Sequence, residues 1–279
     1  MILLLSLLFL VHLDVHEPHS SLSLQVDDCE EYAYREASDI LKKSPIPTFV
    51  LPVSRELPLL FLFHCDVHEL HSSLPFQGDN DINDCDDHEH GEEMWTNYFK
   101  YIDKRWNHTF DLTRWGKLNE SFSFLHKKVL YFGLNVIGGR PYSNSESDAR
   151  HEEHLEMIYS ILDGLDEGDF NVVVLLAHAD PTCSSHHEDF FREFAEIVEE
   201  LGKPTIHFNG DSHEYYEVEG GDYYVDNYMR ISLDGESIAP PIKVEIDVTR
   251  KNPIKVSRRR SDLDVDCCKY GWPRHNDEL

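Results

Sequence analysis

Val172-Val173-Val174-Leu175-Leu176 runs directly into Ala177-His178-Ala179-Asp180. An unbroken β-branched and leucine run with no polar alternation describes a central strand covered on both faces. Two polar residues stand where that strand ends. The segments 129–137, ending at Gly138-Gly139, and 205–208 read as further strands. The segment 147–165 reads as a helix with Leu155, Ile158, Tyr159 and Leu162 turned inward. That rotation leaves His151 and His154 on a solvated face, and their spacing of three separates them from the His-Glu-x-x-His zinc pattern. In the next helix Ser185 and Glu188 have capping-box spacing. Phe190, Phe194, Ile197, Val198 and Leu201 share its inner face and Gly202 closes it.

Upstream, 3–13 reads as a buried strand. The segment 28–43 reads as a helix with Ala33, Ala37, Ile40 and Leu41 on one face, stopped by Ser44-Pro45-Ile46-Pro47. A short strand at 48–51 follows. Trp95, Tyr98, Phe99, Ile102 and Trp106 recur at spacings of three and four, which predicts a helix over 92–106. A strand is expected at 122–125. After Gly210 the pattern changes to strands at 215–218, 223–231 and 242–248, read as antiparallel. Strand and helix alternate first, and a run of strands comes after them. The expected class is α/β, a two-sheet β-sandwich with helices outside, over 1–250. Residues 251–279, which begin with a basic run, are expected to be a flexible tail.

One stretch fits this order poorly. Residues 59–77 (LLFLFHCDVHELHSSLPFQ) repeat 7–25 (LLFLVHLDVHEPHSSLSLQ), with 14 of 19 positions identical. Solenoid repeats recur more often and at lower identity, so a recent local duplication, or non-coding sequence read through in the gene, explains it better. A second apolar strand between Pro52 and Gly78 has no evident slot in the sheet, and 53–77 is expected to be poorly ordered.

The composition narrows the partners. A net charge of −28 argues against a nucleic-acid backbone as partner, since such surfaces need local positive charge. It suits a protein that holds cations, and the 18 histidines agree with that. Six cysteines show neither a CxxC pair nor regular spacing, which suggests neither a zinc site nor a disulfide framework. The apolar residues 1–11 are too short to span a bilayer, so no integral membrane segment is expected. The same residues, the terminal Asn276-Asp277-Glu278-Leu279 and the sequons at Asn107 and Asn119 give a secretory or ER hint; the cytoplasm is the other option.

Gly78-Asp79-Asn80-Asp81-Ile82-Asn83-Asp84-Cys85 packs acidic and carboxamide side chains into one loop. As an EF-hand loop it fails twice, with Asp84 at the glycine position and His90 at the bidentate glutamate position. As one of several strand-end deliveries it gains meaning. The run 10–13 delivers Asp14, 49–52 delivers Asp79 and Asn80, 172–176 delivers His178, and 206–209 delivers Asp211 and His213. Carboxylates, carboxamides and imidazoles from several strand ends are what a two-metal site needs, with metals about 3.5–4 Å apart.

Pro45-Ile46-Pro47-Thr48-Phe49-Val50-Leu51-Pro52, joined to Gly78–Cys85, resembles a calcineurin-like metallophosphoesterase of a divergent branch reading PGDNDWNDC in place of GNH[DE]. The likeness continues through 120–125, 133–139, Ala177-His178-Ala179 and Gly210-Asp211-Ser212-His213, covering roughly 8–50 and 78–248. It implies a four-layer αββα fold and a phosphate ester hydrolysed by metal-activated hydroxide. The implied metal ligands are Asp14, Asp79, His178, Asp211 and His213, holding Fe, Mn or Zn, binuclear when the set is complete. Asn80 and Asp81 are the implied catalytic residues, with Asn80 where the family has a histidine. The family's first block is absent from these residues, and Leu13 stands where a glycine is expected. Two readings therefore stand side by side, an active phosphoesterase with a phosphorylated substrate, and a family member that binds one metal or none.

Overall fold

The computed structural model describes residues 5–9, 31–42, 49–51, 59–65, 71–72, 88–105, 110–116, 120–138, 144–212, 214–233 and 242–257. In chain order these form β1 (Leu5–Phe9), α1 (Glu31–Leu41), β2 (Phe49–Leu51), β3 (Leu59–Cys65), β4 (His71–Ser72) and α2 (His88–Tyr98). Next come β5 (Thr113–Trp115), β6 (Ser121–His126), β7 (Val129–Leu134), α3 (Asn144–Asp163), β8 (Val172–Ala177) and α4 (Glu188–Leu201). Last are β9 (Thr205–Asn209), β10 (Tyr216–Glu219), β11 (Tyr228–Ser232), β12 (Lys243–Ile246) and β13 (Ile254–Ser257).

The class is α/β, built on a mixed seven-stranded sheet of order β10-β11-β9-β8-β7-β6-β5. Strands β11, β9, β8 and β7 run parallel at its centre, β10 and β6 flank them antiparallel, and β5 is antiparallel to β6 at the edge. The period of two divides β8 between two cores. Val172, Val174 and Leu176 join Phe122, Tyr131, Ile206 and Phe208 in a core closed by Ile242, Val244 and Ile246 around β12. Val173, Leu175 and Ala177 face the other way, against Met157 and Ile158 of α3 and Phe190, Phe191 and Phe194 of α4. Covered on both sides, β8 has no position where a polar residue would meet water, which explains its uninterrupted apolar run.

The second sheet pairs β13-β12-β1-β3-β2, with β4 on β3. Here two expectations change. Residues 254–257 form β13, antiparallel to β12 with Val244 opposite Val256, so the ordered chain passes residue 250 and the tail cannot begin at 251. The alternation Ile254, Lys255, Val256, Ser257 gives one half-buried face, and Asp247 shapes the turn by accepting from Thr249 N at 3.1 Å and Thr249 Oγ1 at 2.6 Å. The duplicated stretch also finds a slot. β3 lies between β1 and β2, antiparallel to both, with Leu7 opposite Phe63 and Val50 opposite Leu60.

Helix boundaries and faces shift for identifiable reasons. α2 starts at His88 and ends at Tyr98, and Ile102–Arg105 continues as a separate 3-10 turn, so the expected single helix over 92–106 is broken. Trp95, Phe99 and Ile102 are buried as their spacing requires. The expected inner residues of α1, Ala33, Ala37, Ile40 and Leu41, lie outside those whose side chains are described; among the described ones Tyr34 and Ser38 are buried, with Tyr34 against the Phe99 ring and Ser38 Oγ donating to Tyr98 O at 2.9 Å. α4 ends where expected, at Gly202 in the left-handed region (φ 59°), whose N–H reaches Val198 O and Glu199 O. Its start differs: α4 begins at Glu188 after the cap position His187, two residues beyond the expected cap Ser185, because a 3-10 turn over Ser185–His187, capped by Ser184, precedes it. Residues 223–227 are not strand; β10 and β11 pair antiparallel as expected, and β11 also joins β9 in parallel.

Candidate functional site

The site lies at the C-terminal ends of the parallel strands, where β8 and β9 give way to loops. His178 directly succeeds β8 and is buried, and Asp211 lies two residues beyond β9 and is half-buried. Because β8 and β9 are neighbours in parallel register, their exits meet. The His178 carbonyl accepts Gly210 N and Asp211 N, each at 3.2 Å, and Asp180 N donates to Asp211 Oδ2 at 3.1 Å. On the other side Ala179 N donates to Val136 O at 3.0 Å, which ties the same loop to the continuation of β7. Gly138 faces the Asp211 carboxylate so closely that a Cβ there would overlap it.

Of the residues expected in the site, His178 and Asp211 are therefore brought together. Asp14, Asp79, Asn80, Asp81 and His213 lie outside the described residues. Among the described residues no group of three or more His, Cys, Asp or Glu side chains is placed to hold a metal ion. The two donors present, an imidazole and a carboxylate on adjoining strand exits, are of the types that borderline divalent metals take. The space left by Gly138 is where the carboxylate sits.

Sequence reading missed the network behind this pair. Asp180 is fully buried. Its Oδ1 accepts Thr182 N at 2.8 Å and Thr182 Oγ1 at 2.7 Å. Its Oδ2 accepts Arg230 Nη1 at 3.1 Å, Asn209 Nδ2 at 3.3 Å and the Tyr216 hydroxyl. Arg230, 1% exposed, turns its remaining edge to Asp222, with Nε to Oδ2 at 2.7 Å and Nη2 to Oδ1 at 2.8 Å. Burial alone would raise the Asp180 carboxyl, but hydrogen bonds from Thr182 and Tyr216 and the charge of Arg230 outweigh it and hold it low. The one signal available beforehand was a lone arginine inside the strand pattern Tyr228-Met229-Arg230-Ile231-Ser232.

A second polar cluster lies between the sheet and the helices, and it corrects the reading of α3. His151 and His154 do not face solvent. His154 is 1% exposed with Nε2 2.8 Å from Ser121 Oγ, and His151 Nε2 is 3.2 Å from His187 Nδ1. Both rings pack on Phe190, His151 in stacked geometry at 5.2 Å. Tyr159, expected inside, is 44% exposed and donates to Glu193 at 3.1 Å. The inner face of α3 is thus Ser147, His151, His154, Met157 and Ile158. Burial pushes His151 down to about 4 and, helped by the neighbouring histidines, His187 down to about 3, so both rings are neutral at pH 7.

Among the described residues no helix is long and apolar enough to cross a membrane. No family model matches the chain, and neither a curated protein nor a solved structure matches it.

Proposed function

We propose that the chain is a divergent calcineurin-like metallophosphoesterase, a two-sheet αββα sandwich hydrolysing a phosphate ester with divalent metal. The observation that carries this reading is the meeting of His178 and Asp211 at the C-terminal exits of adjacent parallel strands. Crevices outside the carboxyl ends of such strands are where open α/β sheets bind ligands. The packing of β12 over one face of the large sheet and of α3 and α4 over the other supports the layering.

A divalent ion bound there would lower the pKa of a water and polarise a phosphoryl oxygen. The chain's own residues do the rest. His178 offers a lone pair from a buried ring. Asp211 offers a carboxylate whose direction is set by the Asp180 amide and whose room is left by Gly138. Asp14, Asp79 and His213 would complete the donor set from their strand-end places in the sequence. Asn80, as a neutral carboxamide, can orient a phosphate oxygen but cannot move a proton, and Asp81 beside it is the acid–base group left in that loop.

The test is elemental analysis of the purified chain after exposure to Fe, Mn and Zn, with hydrolysis of an aryl phosphate measured alongside. Tightly held metal, lost in His178→Ala and Asp211→Asn, together with metal-dependent turnover is expected. Bound metal without turnover would favour the impaired family member, a reading that the asparagine at position 80 supports. No bound metal at all would end the phosphoesterase reading.

A further inference from the structure

We propose that the buried Arg230–Asp180 ion pair is the positioning device of the His178/Asp211 pair, fixing the direction in which the Asp180 amide meets the Asp211 carboxylate. Its functional meaning rests on the metal-site reading above; its geometry does not.

The Asp180 carboxylate has no capacity left for a ligand. It accepts from Thr182 twice, from Arg230, from Asn209 and from Tyr216, against about four lone-pair sites. Its role is therefore within the protein. Arg230 belongs to β11, and in the sheet β9 lies between β11 and β8. The guanidinium reaches past Asn209 of β9 to hold a residue just beyond β8. Asp222 grips its other edge with two bonds, while Nη1 is held independently by Asn209 Oδ1 at 3.2 Å and the Tyr216 hydroxyl at 3.1 Å beside Asp180.

The backbone of Asp180 is what this grip controls. Its N–H donates to Asp211 Oδ2 at 3.1 Å, and two residues earlier the His178 carbonyl takes Gly210 N and Asp211 N. Holding the Asp180 side chain on one side and Ala179 N on Val136 O on the other leaves the 178–180 backbone one orientation. Stability alone is a poor reason for such a pair, because a buried ion pair contributes little over an apolar replacement, whereas a role in fixing one arrangement is its better-attested use. Partners one step behind a metal ligand typically alter affinity by tenfold or more when removed.

The experiment compares the full chain with Arg230→Lys, which keeps the charge but loses the fork, and with Asp222→Asn, which weakens the same arginine's other contact and leaves Asp180 its partner. Asp180→Asn keeps the shape and serves should Arg230→Lys not fold. Two quantities are read, hydrogen exchange of the Asp180 amide by NMR and Mn2+ affinity by calorimetry. Arg230→Lys is expected to speed the Asp180 exchange at least about tenfold and to weaken Mn2+ binding by about ten- to a hundredfold. Asp222→Asn is expected to lower Tm while leaving both nearly unchanged. The proposal is overturned if Arg230→Lys leaves the Asp180 amide as protected as before, or if both variants change exchange merely in step with Tm. A native chain that takes up no Mn2+ would sink the metal-site reading separately, and the exchange data would still decide the positioning claim.

Discussion

Ser121 Oγ and His154 Nε2 stand 2.8 Å apart, joining β6 to α3 through two side chains closed to solvent. The same Oγ accepts Asn135 N at 3.1 Å, so one hydroxyl serves the strand end beside the site and the helix above it. Ser121→Ala strands a buried imidazole nitrogen and a backbone N–H together. A loss of about 1–3 kcal/mol is expected. In a double-mutant cycle with His154→Leu, chemical denaturation should give a coupling energy of at least about 0.5 kcal/mol. Strict additivity would mean the bond contributes nothing.

Acid should unfold this protein earlier than its carboxylates alone require. The ordinary histidine value is 6.5, and burial holds His151 near 4 and His187 and His207 near 3. Between those values the unfolded chain binds more protons than the folded one, so stability is full above about pH 6.5 and declines as pH falls toward 4 and 3. For His151 alone the loss is on the order of 3 kcal/mol. Urea midpoints measured from pH 8 to pH 4 should fall throughout that window, and His151→Leu should flatten the curve. A midpoint constant from pH 7 to 4.5 would refute this.

Gly138→Ala separates site geometry from stability. The new Cβ meets the end of a half-buried side chain, not backbone, so Asp211 moves aside and the fold survives. Tm should shift by no more than a few degrees, while divalent-metal affinity falls about tenfold or more. Unchanged affinity would show that the present direction of the Asp211 carboxylate is irrelevant to binding.

The β6–β7 hairpin turns through Lys127 (φ 48°) and Lys128 (φ 68°), both in the left-handed region that favours Asn and Gly. Lys127→Asn with Lys128→Gly should stabilise the chain by about 1 kcal/mol, less what is lost with the exposed bond from Lys128 Nζ to Gly168 O. For a chain of this size that is a rise of about 2–4 °C in Tm. A lower Tm would mean the lysines contribute more than their backbone costs.

How far the sequence could be read depended on whether the stabilising partner was local. β8 and the Gly202 stop were legible because apolar continuity and a left-handed cap are written in adjacent residues. The inner face of α3 was not, because a histidine counts as polar until Ser121, 33 residues away, and Phe190 are known to stand opposite it. β13 was hidden by the basic run around it. His178 and Asp211 were visible as polar residues ending apolar runs. The tie from Arg230 to Asp180 was not, since it requires knowing that β11 lies next to β9 and not at the far end of a meander.

The place of β3 carries a consequence for what this sheet would be without it. Because β3 is antiparallel to both β1 and β2, those two strands are parallel to each other, with α1 between them in the chain. Without its guest, β1–α1–β2 has the form of a crossover unit whose strands could lie side by side. β3, whose residues repeat 7–13, lies between the two and pairs with both by running in the opposite direction. The repeated stretch is thus held as an inserted strand, and removing residues 53–77 should let β1 and β2 pair directly, with cooperative unfolding retained.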